Sequence, residues 1–198
     1  MRLPTGWRSG VLGRRSGSPA IPAGPLVVKC GGSLLSRRGW PHLLRGLSPA
    51  LAEVGEPLWV VGGGAIVEGL RAIDAAGQLD TTLVHQLAID LMAATARVVA
   101  AELDVGIVGT ADGGGVLDAA AYLAAAPAPA LPVGWDVTSD TIAATVARAT
   151  ARPLLLLKST PAPTADPAVA AAAGWVDAWF PRVAVGVEWI GWACPAES

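Results

Sequence analysis

The sequence predicts an α/β fold with a largely parallel central sheet, and two observations carry that prediction. From Pro25 onward, short apolar runs alternate with helical stretches. Twice, a strand-like run is followed at once by glycines and then by a helical stretch: Leu26–Cys30 before Gly31-Gly32-Ser33, and Leu58–Val61 before Gly62-Gly63-Gly64. The 198 residues suit one domain with a full core. With 53% hydrophobic and only 15% charged residues, the chain is too apolar to be intrinsically disordered.

In chain order, residues 1–24 mix arginine with Gly, Ser and Pro and hold no apolar periodicity. They read as a flexible basic extension or an upstream start, leaving 25–198 as the domain. Arg14-Arg15 invites a twin-arginine export reading, but no apolar segment follows it. After the Leu26–Cys30 strand, the next helical stretch is interrupted by Pro41 and Pro49. Leu58–Val61 leads into a helix to about Ala75. Asp80 opens a long helix to about Leu103, with Leu83, Leu87, Leu91, Ala94 and Val98 at three- and four-residue spacing. Val105–Val108 reads as a short strand and Asp112–Leu123 as weakly helical. The Ala/Pro stretch 124–132 reads as a loop entering a short edge strand. Thr138 or Ser139 can cap a helix running through Ile142–Ala151, with Asp140 in its first turn, where negative charge is favoured. A buried strand, Leu154–Lys158, a Pro-rich loop, a short Ala-rich helix near 167–173 and a tail, 174–198, complete the chain.

Composition narrows function. A net charge of −2 provides no footprint for a nucleic-acid partner. The mean hydropathy of +0.50 raises the membrane question. The longest uncharged stretch, Ala119–Trp135, is broken by Pro127, Pro129 and Pro132, so no spanning helix is expected. Cys30 and Cys194 make neither a disulfide framework nor a metal knuckle, and their rarity suits a reducing cytosol. The expected location is cytoplasmic, and no protein metal site is expected.

The chain holds 12 arginines but only two lysines, Lys29 and Lys158, and each closes a strand-like run. Eight of the 14 basic residues precede the first acidic one, Glu53. An ammonium is a compact point charge that can sit against one phosphoryl oxygen, where a guanidinium is a broad fork. A lysine at the end of a buried strand either snorkels out or meets a counter-anion. Glycines after a strand let the backbone approach an anion, and the next helix's amides can donate to it. They equally make tight strand-to-helix turns, and neither loop has the spacing of a recognised phosphate fingerprint. Arg71, two helical turns after Gly64, could bind an anionic group or stay solvated. His85 could touch substrate or be a satisfied structural histidine. Cys30 reads as a small strand residue, and Trp135 is the tryptophan placed nearest a ligand.

Val27-Val28-Lys29-Cys30-Gly31-Gly32-Ser33-Leu34-Leu35 resembles the opening strand and loop of the amino acid kinase superfamily. Val60-Val61-Gly62-Gly63-Gly64 resembles its second glycine loop, Asp136–Ala144 its acidic helix-opening motif, and Leu154–Ser159 the strand entering its nucleotide site. The resemblance covers most of residues 25–160 in order. It implies a three-layer α/β/α sandwich and an ATP-dependent phosphotransferase working with Mg²⁺ on a small molecule, as a homodimer or higher homo-oligomer. Within the superfamily the chain is most similar to the short kinases of methanofuran-type cofactor biosynthesis, which phosphorylate an aminomethylfuran-methyl phosphate to its diphosphate. That similarity lies in Gly64–Asp74, His85–Ile89, Trp135–Asp140 and Val176–Pro181.

Carried over, the resemblance implies that Lys29 and Lys158 stabilise the transferring phosphoryl group and that Asp140 orients both ammoniums. Gly31, Gly32, Ser33, Lys158 and Ser159 would hold the nucleotide. Gly62, Gly63, Gly64, Arg71, His85, Thr138 and Ser139 would hold the acceptor. The chain departs from the family after Lys158: Thr160–Pro167 stands where an Asp-Gly-aromatic nucleotide loop is usual, which leaves adenine and ribose contacts unassigned. The brief C-terminal portion implies a trimmed second half of the sheet. Two rivals keep parts of this picture: a carboxylate kinase forming an acyl phosphate, and a non-catalytic nucleotide or anion binder.

Overall fold

Side-chain alternation along the inner strands builds the layers. The computed structural model describes residues 3–13, 20–125 and 131–196. Strand β2 (Leu26–Cys30) sends Leu26, Val28 and Cys30 to one face of the sheet and Val27 and Lys29 to the other. β6 (Leu154–Leu157) does the same, with Leu155 and Leu157 on the first face and Leu154 and Leu156 on the second. Both strands are wholly buried, as parallel strands covered on two faces must be.

Among the described residues, seven strands form one sheet in the order β1-β7-β6-β2-β3-β5-β4, where β1 is Trp7–Val11, β3 Pro57–Val61, β4 Ile107–Val108, β5 Gly115–Leu117 and β7 Ile190–Pro195. All neighbours are parallel except β1, which runs antiparallel to β7. One face is covered by α1 (Gly32–Leu35), α2 (Trp40–Ala52) and α4 (Thr81–Leu103) through Leu34, Leu44, Leu47, Leu51 and Val99. The other is covered by α5 (Ala119–Ala125), α6 (Ser139–Ala149), α7 (Pro167–Ala172) and α8 (Phe180–Ala184), with Ile142, Val146, Ala170 and Phe180 in the core. α3 (Gly64–Gly77) packs on α1 and α4. The three-layer sandwich expected from the sequence is the observed architecture.

α4 begins as expected, with the Asp80 carboxylate accepting from the Leu83 amide at 2.9 Å. By length and composition this helix could cross a membrane, contrary to the expectation that none would. Its Val84, Ile89, Met92, Ala96 and Val99 are buried inside the protein.

Four local expectations are corrected. Residues 7–11, placed in a flexible extension, form β1, and Leu12 and Ile21 are buried; Arg2, Arg14 and Arg15 lie outside the described residues. The 112–118 stretch is not helical. Gly113, Gly114 and Gly115 interrupt it, the Arg152 guanidinium holds the Asp112 and Gly113 carbonyls at 2.8 and 2.9 Å, and the chain then enters β5. No strand follows the Ala/Pro stretch among the described residues up to Asp140; residues 126–130 lie outside them. The 174–198 tail contains α8 and β7. Among the described residues β7 is the only further parallel strand beyond β6, and the N-terminal β1 takes the outer edge.

Candidate functional site

β2 and β6 pair in parallel with Lys29 opposite Leu156, so Lys158 stands two residues further along on the same face as Lys29. That face is covered by α6, and Asp140 lies in the first turn of α6. The three side chains meet: Lys29 Nζ is 2.8 Å from Asp140 Oδ1, and Lys158 Nζ is 2.7 Å from Asp140 Oδ2. Lys158 also donates to the Trp175 carbonyl at 2.6 Å and lies 4.9 Å from the centre of that residue's ring. Lys29, Asp140 and Lys158 are 3%, 5% and 8% exposed, so neither lysine snorkels to solvent.

The electrostatics follow from this crowding. Burial alone would raise the Asp140 carboxyl, but the Lys29 and Lys158 ammoniums outweigh it and hold the carboxyl below its ordinary value. Burial first, then the charge of Lys29, push Lys158 down to about 8 against the pull of Asp140 and Asp177. Cys30 is pushed up to about 12 by burial, which makes it an inert strand residue.

Two cavities adjoin the triad. The larger, about 570 Å³, is bounded by Lys29, Gly32, the 62–64 loop, Arg71, His85 and a mostly apolar wall that includes Ile89 and Met92. The smaller, about 450 Å³, is bounded by Lys158, Ser159, Thr160, Trp175 and Asp177. Ser33, Arg71, Trp135, Thr138 and Asp140 border both. The loops that frame the triad are tied together, with Ser33 Oγ 3.1 Å from Ser159 Oγ.

The glycine loops touch each other. A Cβ on Gly32 would lie 2.2 Å from the Gly64 nitrogen, and Gly64 itself adopts φ +57. Their bareness therefore serves a backbone-to-backbone approach as well as leaving Gly63 and Gly64 on the cavity wall. At two residues of the expected binding loops the backbone amide is already committed: Gly31 donates to the Leu157 carbonyl at 2.8 Å, and Gly62 donates to the Cys30 carbonyl at 2.9 Å.

The remaining expected site residues divide. Ser139 is buried at the wall of the larger cavity. Arg71 lies 4.2 Å over the Trp135 ring and 3.4 Å from a Glu68 oxygen, and Trp135 Nε1 donates to Asp74 at 2.7 Å. His85 borders the larger cavity, but its Nδ1 accepts from the Gly134 amide at 3.3 Å, which holds the loop before Trp135 on α4. Thr138 is the N-cap residue of α6, yet its hydroxyl makes no cap; it donates to Asp177 at 2.8 Å, while the residue borders both cavities.

Sequence reasoning missed Asp177 and Trp175 as site residues. Asp177 stands inside the Val176–Pro181 stretch, where nothing local marks it as a site residue. The one signal at α6 was a helix start with two threonines three residues apart, whose hydroxyls need an acceptor from elsewhere in the chain.

No family model matches the sequence, and no curated protein matches it significantly. Solved structures do resemble it. The uridylate kinase of Archaeoglobus fulgidus superposes with a TM-score of 0.60 at 13% identity, over 87% of this chain and 91% of that one. The UMP kinase of Ureaplasma parvum superposes with a TM-score of 0.54 at 14% identity, over 71% and 69%. The fold is that of these kinases.

Proposed function

We propose that the protein is a small-molecule kinase that transfers the terminal phosphoryl group of Mg-ATP to a small anionic metabolite. One observation carries this reading: two buried ammoniums converge on one buried carboxylate between two cavities. Such a centre holds more positive than negative charge in a place where charge is costly, and a polyanion is the group that would balance it.

The residues suit a nucleotide better than a free metal. Among the described residues no group of three His, Cys, Asp or Glu side chains could hold a metal ion, so Mg²⁺ would arrive on the phosphates. When bound, Mg-ATP supplies the transferable phosphoryl group and neutralises part of its charge. Lys158, Ser159 and Ser33 would bind its phosphates from the smaller cavity, and the acceptor would lie against Gly63, Gly64 and Arg71 in the larger. An acceptor oxygen forms the new bond to phosphorus as the bond to the bridging oxygen of ADP breaks. Lys29 and Lys158 lower the cost of the charge on the oxygens in transit, and Asp140 keeps both ammoniums on that point. Phosphoryl transfer needs little more than such positioning and charge.

For the acceptor we infer a furan-methyl monophosphate converted to its diphosphate, in a methanofuran-type one-carbon pathway. The motif resemblances support this, as does a larger cavity with an apolar wall and an arginine at its rim. A cytoplasmic homodimer belongs to the same reading, and the exposed Ile66, Ile73, Leu83 and Leu87 of α3 and α4 suit a subunit contact.

The test is incubation with Mg-ATP and a panel of phosphomonoesters and carboxylates, followed by phosphorus NMR. A diphosphate product supports the reading. A hydroxylamine-labile acyl phosphate would replace it with a carboxylate kinase, and nucleotide binding without turnover would replace it with a binder.

A further inference from the structure

Asp177 lies between α7 and α8, and six donors converge on its carboxylate. Oδ2 accepts from the Thr138 amide at 3.0 Å, the Thr138 hydroxyl at 2.8 Å and the Thr141 amide at 2.9 Å. Oδ1 accepts from the Thr141 hydroxyl at 2.5 Å, the Trp179 amide at 3.2 Å and the Phe180 amide at 2.9 Å. A carboxylate offers about four lone-pair directions, so this one is saturated. Its donors come from two places: the first turn of α6, on either side of Asp140, and the start of α8.

The capping is unusual for its distance. α6 has no side-chain cap of its own, and the group that satisfies its free amides comes from 36 to 39 residues further along the chain. The segment that supplies it also supplies the Trp175 carbonyl to Lys158. A stretch of three residues, 175–177, thus grips Lys158 at one end and the turn that carries Asp140 at the other.

We propose that Asp177 is a positioning residue for the Lys29–Asp140–Lys158 centre: it ties the first turn of α6 to the 175–177 segment, and so sets where Asp140 and the Trp175 carbonyl meet the ammoniums. As a role in catalysis this rests on the kinase reading; as a role in geometry it does not. Asp177 also adds negative charge on the Lys158 side, alongside Asp140 and against Lys29.

The chain has only two lysines, which makes the test direct. Lysine labelled with ¹³C at Cε gives two signals, and a pH titration of the whole protein reads both midpoints without any substrate. Asp177→Asn should lower the Lys158 midpoint by about half a pH unit or more, because it removes a charge that holds the proton on. Thr141→Val keeps the charge but frees one corner of the carboxylate, and should shift the Lys158 midpoint by less, a movement that loss of charge cannot explain. Asp166→Ala, which removes the cap of α7, should leave both midpoints where they are. Wild-type midpoints in folded Asp177→Asn overturn the proposal; should that chain not fold, wild-type midpoints in Thr141→Val overturn it. A movement of the same size in Asp166→Ala overturns it as well, since any lost cap would then do. A wild-type protein that transfers no phosphate would end the kinase reading and leave this titration standing.

Discussion

Lys29 and Lys158 end adjacent strands and touch opposite oxygens of one aspartate, yet they stand in different surroundings. Lys29 has the apolar larger cavity beside it. Lys158 borders the smaller cavity and has a carbonyl at 2.6 Å and an aromatic face at 4.9 Å. A symmetric pair of contacts thus serves two unlike chambers. The difference teaches that the aspartate is the shared part, and that each ammonium is specialised by what else surrounds it.

The comparison breaks most severely at the shared part. Asp140→Asn removes the carboxylate that both buried ammoniums touch, leaving only Asp177 on the Lys158 side, and should cost about 3–5 kcal/mol of folding stability, measured by urea unfolding. A loss under 1 kcal/mol would mean that the ammoniums reach water. Next comes Lys29→Ala. Asp140 keeps Lys158 as a partner, so turnover should fall about 10²–10³-fold, by analogy with loss of one charge-stabilising donor, with a smaller effect on stability. Equal loss of both would assign Lys29 to structure alone.

The pH response sharpens the contrast further. In the free protein Lys158 is pushed down to about 8 from an ordinary 10.5. Above pH 8, affinity for ATP should fall toward tenfold per pH unit as the ammonium is lost, measured by titration calorimetry. Stability should move the other way. Between about pH 8 and 10.5 the unfolded chain binds the proton that the folded chain has released, so this residue's contribution rises with pH across that window. The smallest effect is expected for Lys158→Met at neutral pH. Removing a cation that burial disfavours, while Asp140 keeps Lys29, should change stability by no more than about 1 kcal/mol in either direction. Activity in the same variant should collapse, and retained turnover would separate the two lysines completely.

Much of this centre was legible in the sequence. Lys29 falls two residues after Val27 and Lys158 two after Leu156, so simple alternation sends each to the face of its apolar neighbours. Once β2 and β6 pair side by side, convergence follows. The inner strands were legible for the same reason: Leu26–Val28 and Leu154–Leu157 are unbroken apolar runs, each followed by its lysine. The outer strands were not. β1, Trp7–Val11, carries arginine, serine and glycine, and becomes a strand because β7 offers it backbone partners. β7 itself includes Gly191 and ends in Pro195, and both mask its periodicity. Asp177 was hidden by distance: its meaning depends on threonines far away in sequence, and no local pattern announces such a partner. The cap expected of Thr138 fails for the same reason, since its hydroxyl is recruited by Asp177, 39 residues further along the chain.

The antiparallel pairing of Trp7–Val11 with Ile190–Pro195 carries a practical consequence for handling this protein. Initiating translation downstream of Val11 would bare the backbone of β7 along one whole side, next to the buried Ala193 and Cys194. Material produced that way should self-associate through the uncovered strand, and a solubility screen of staggered start sites would find its threshold between Gly6 and Leu12.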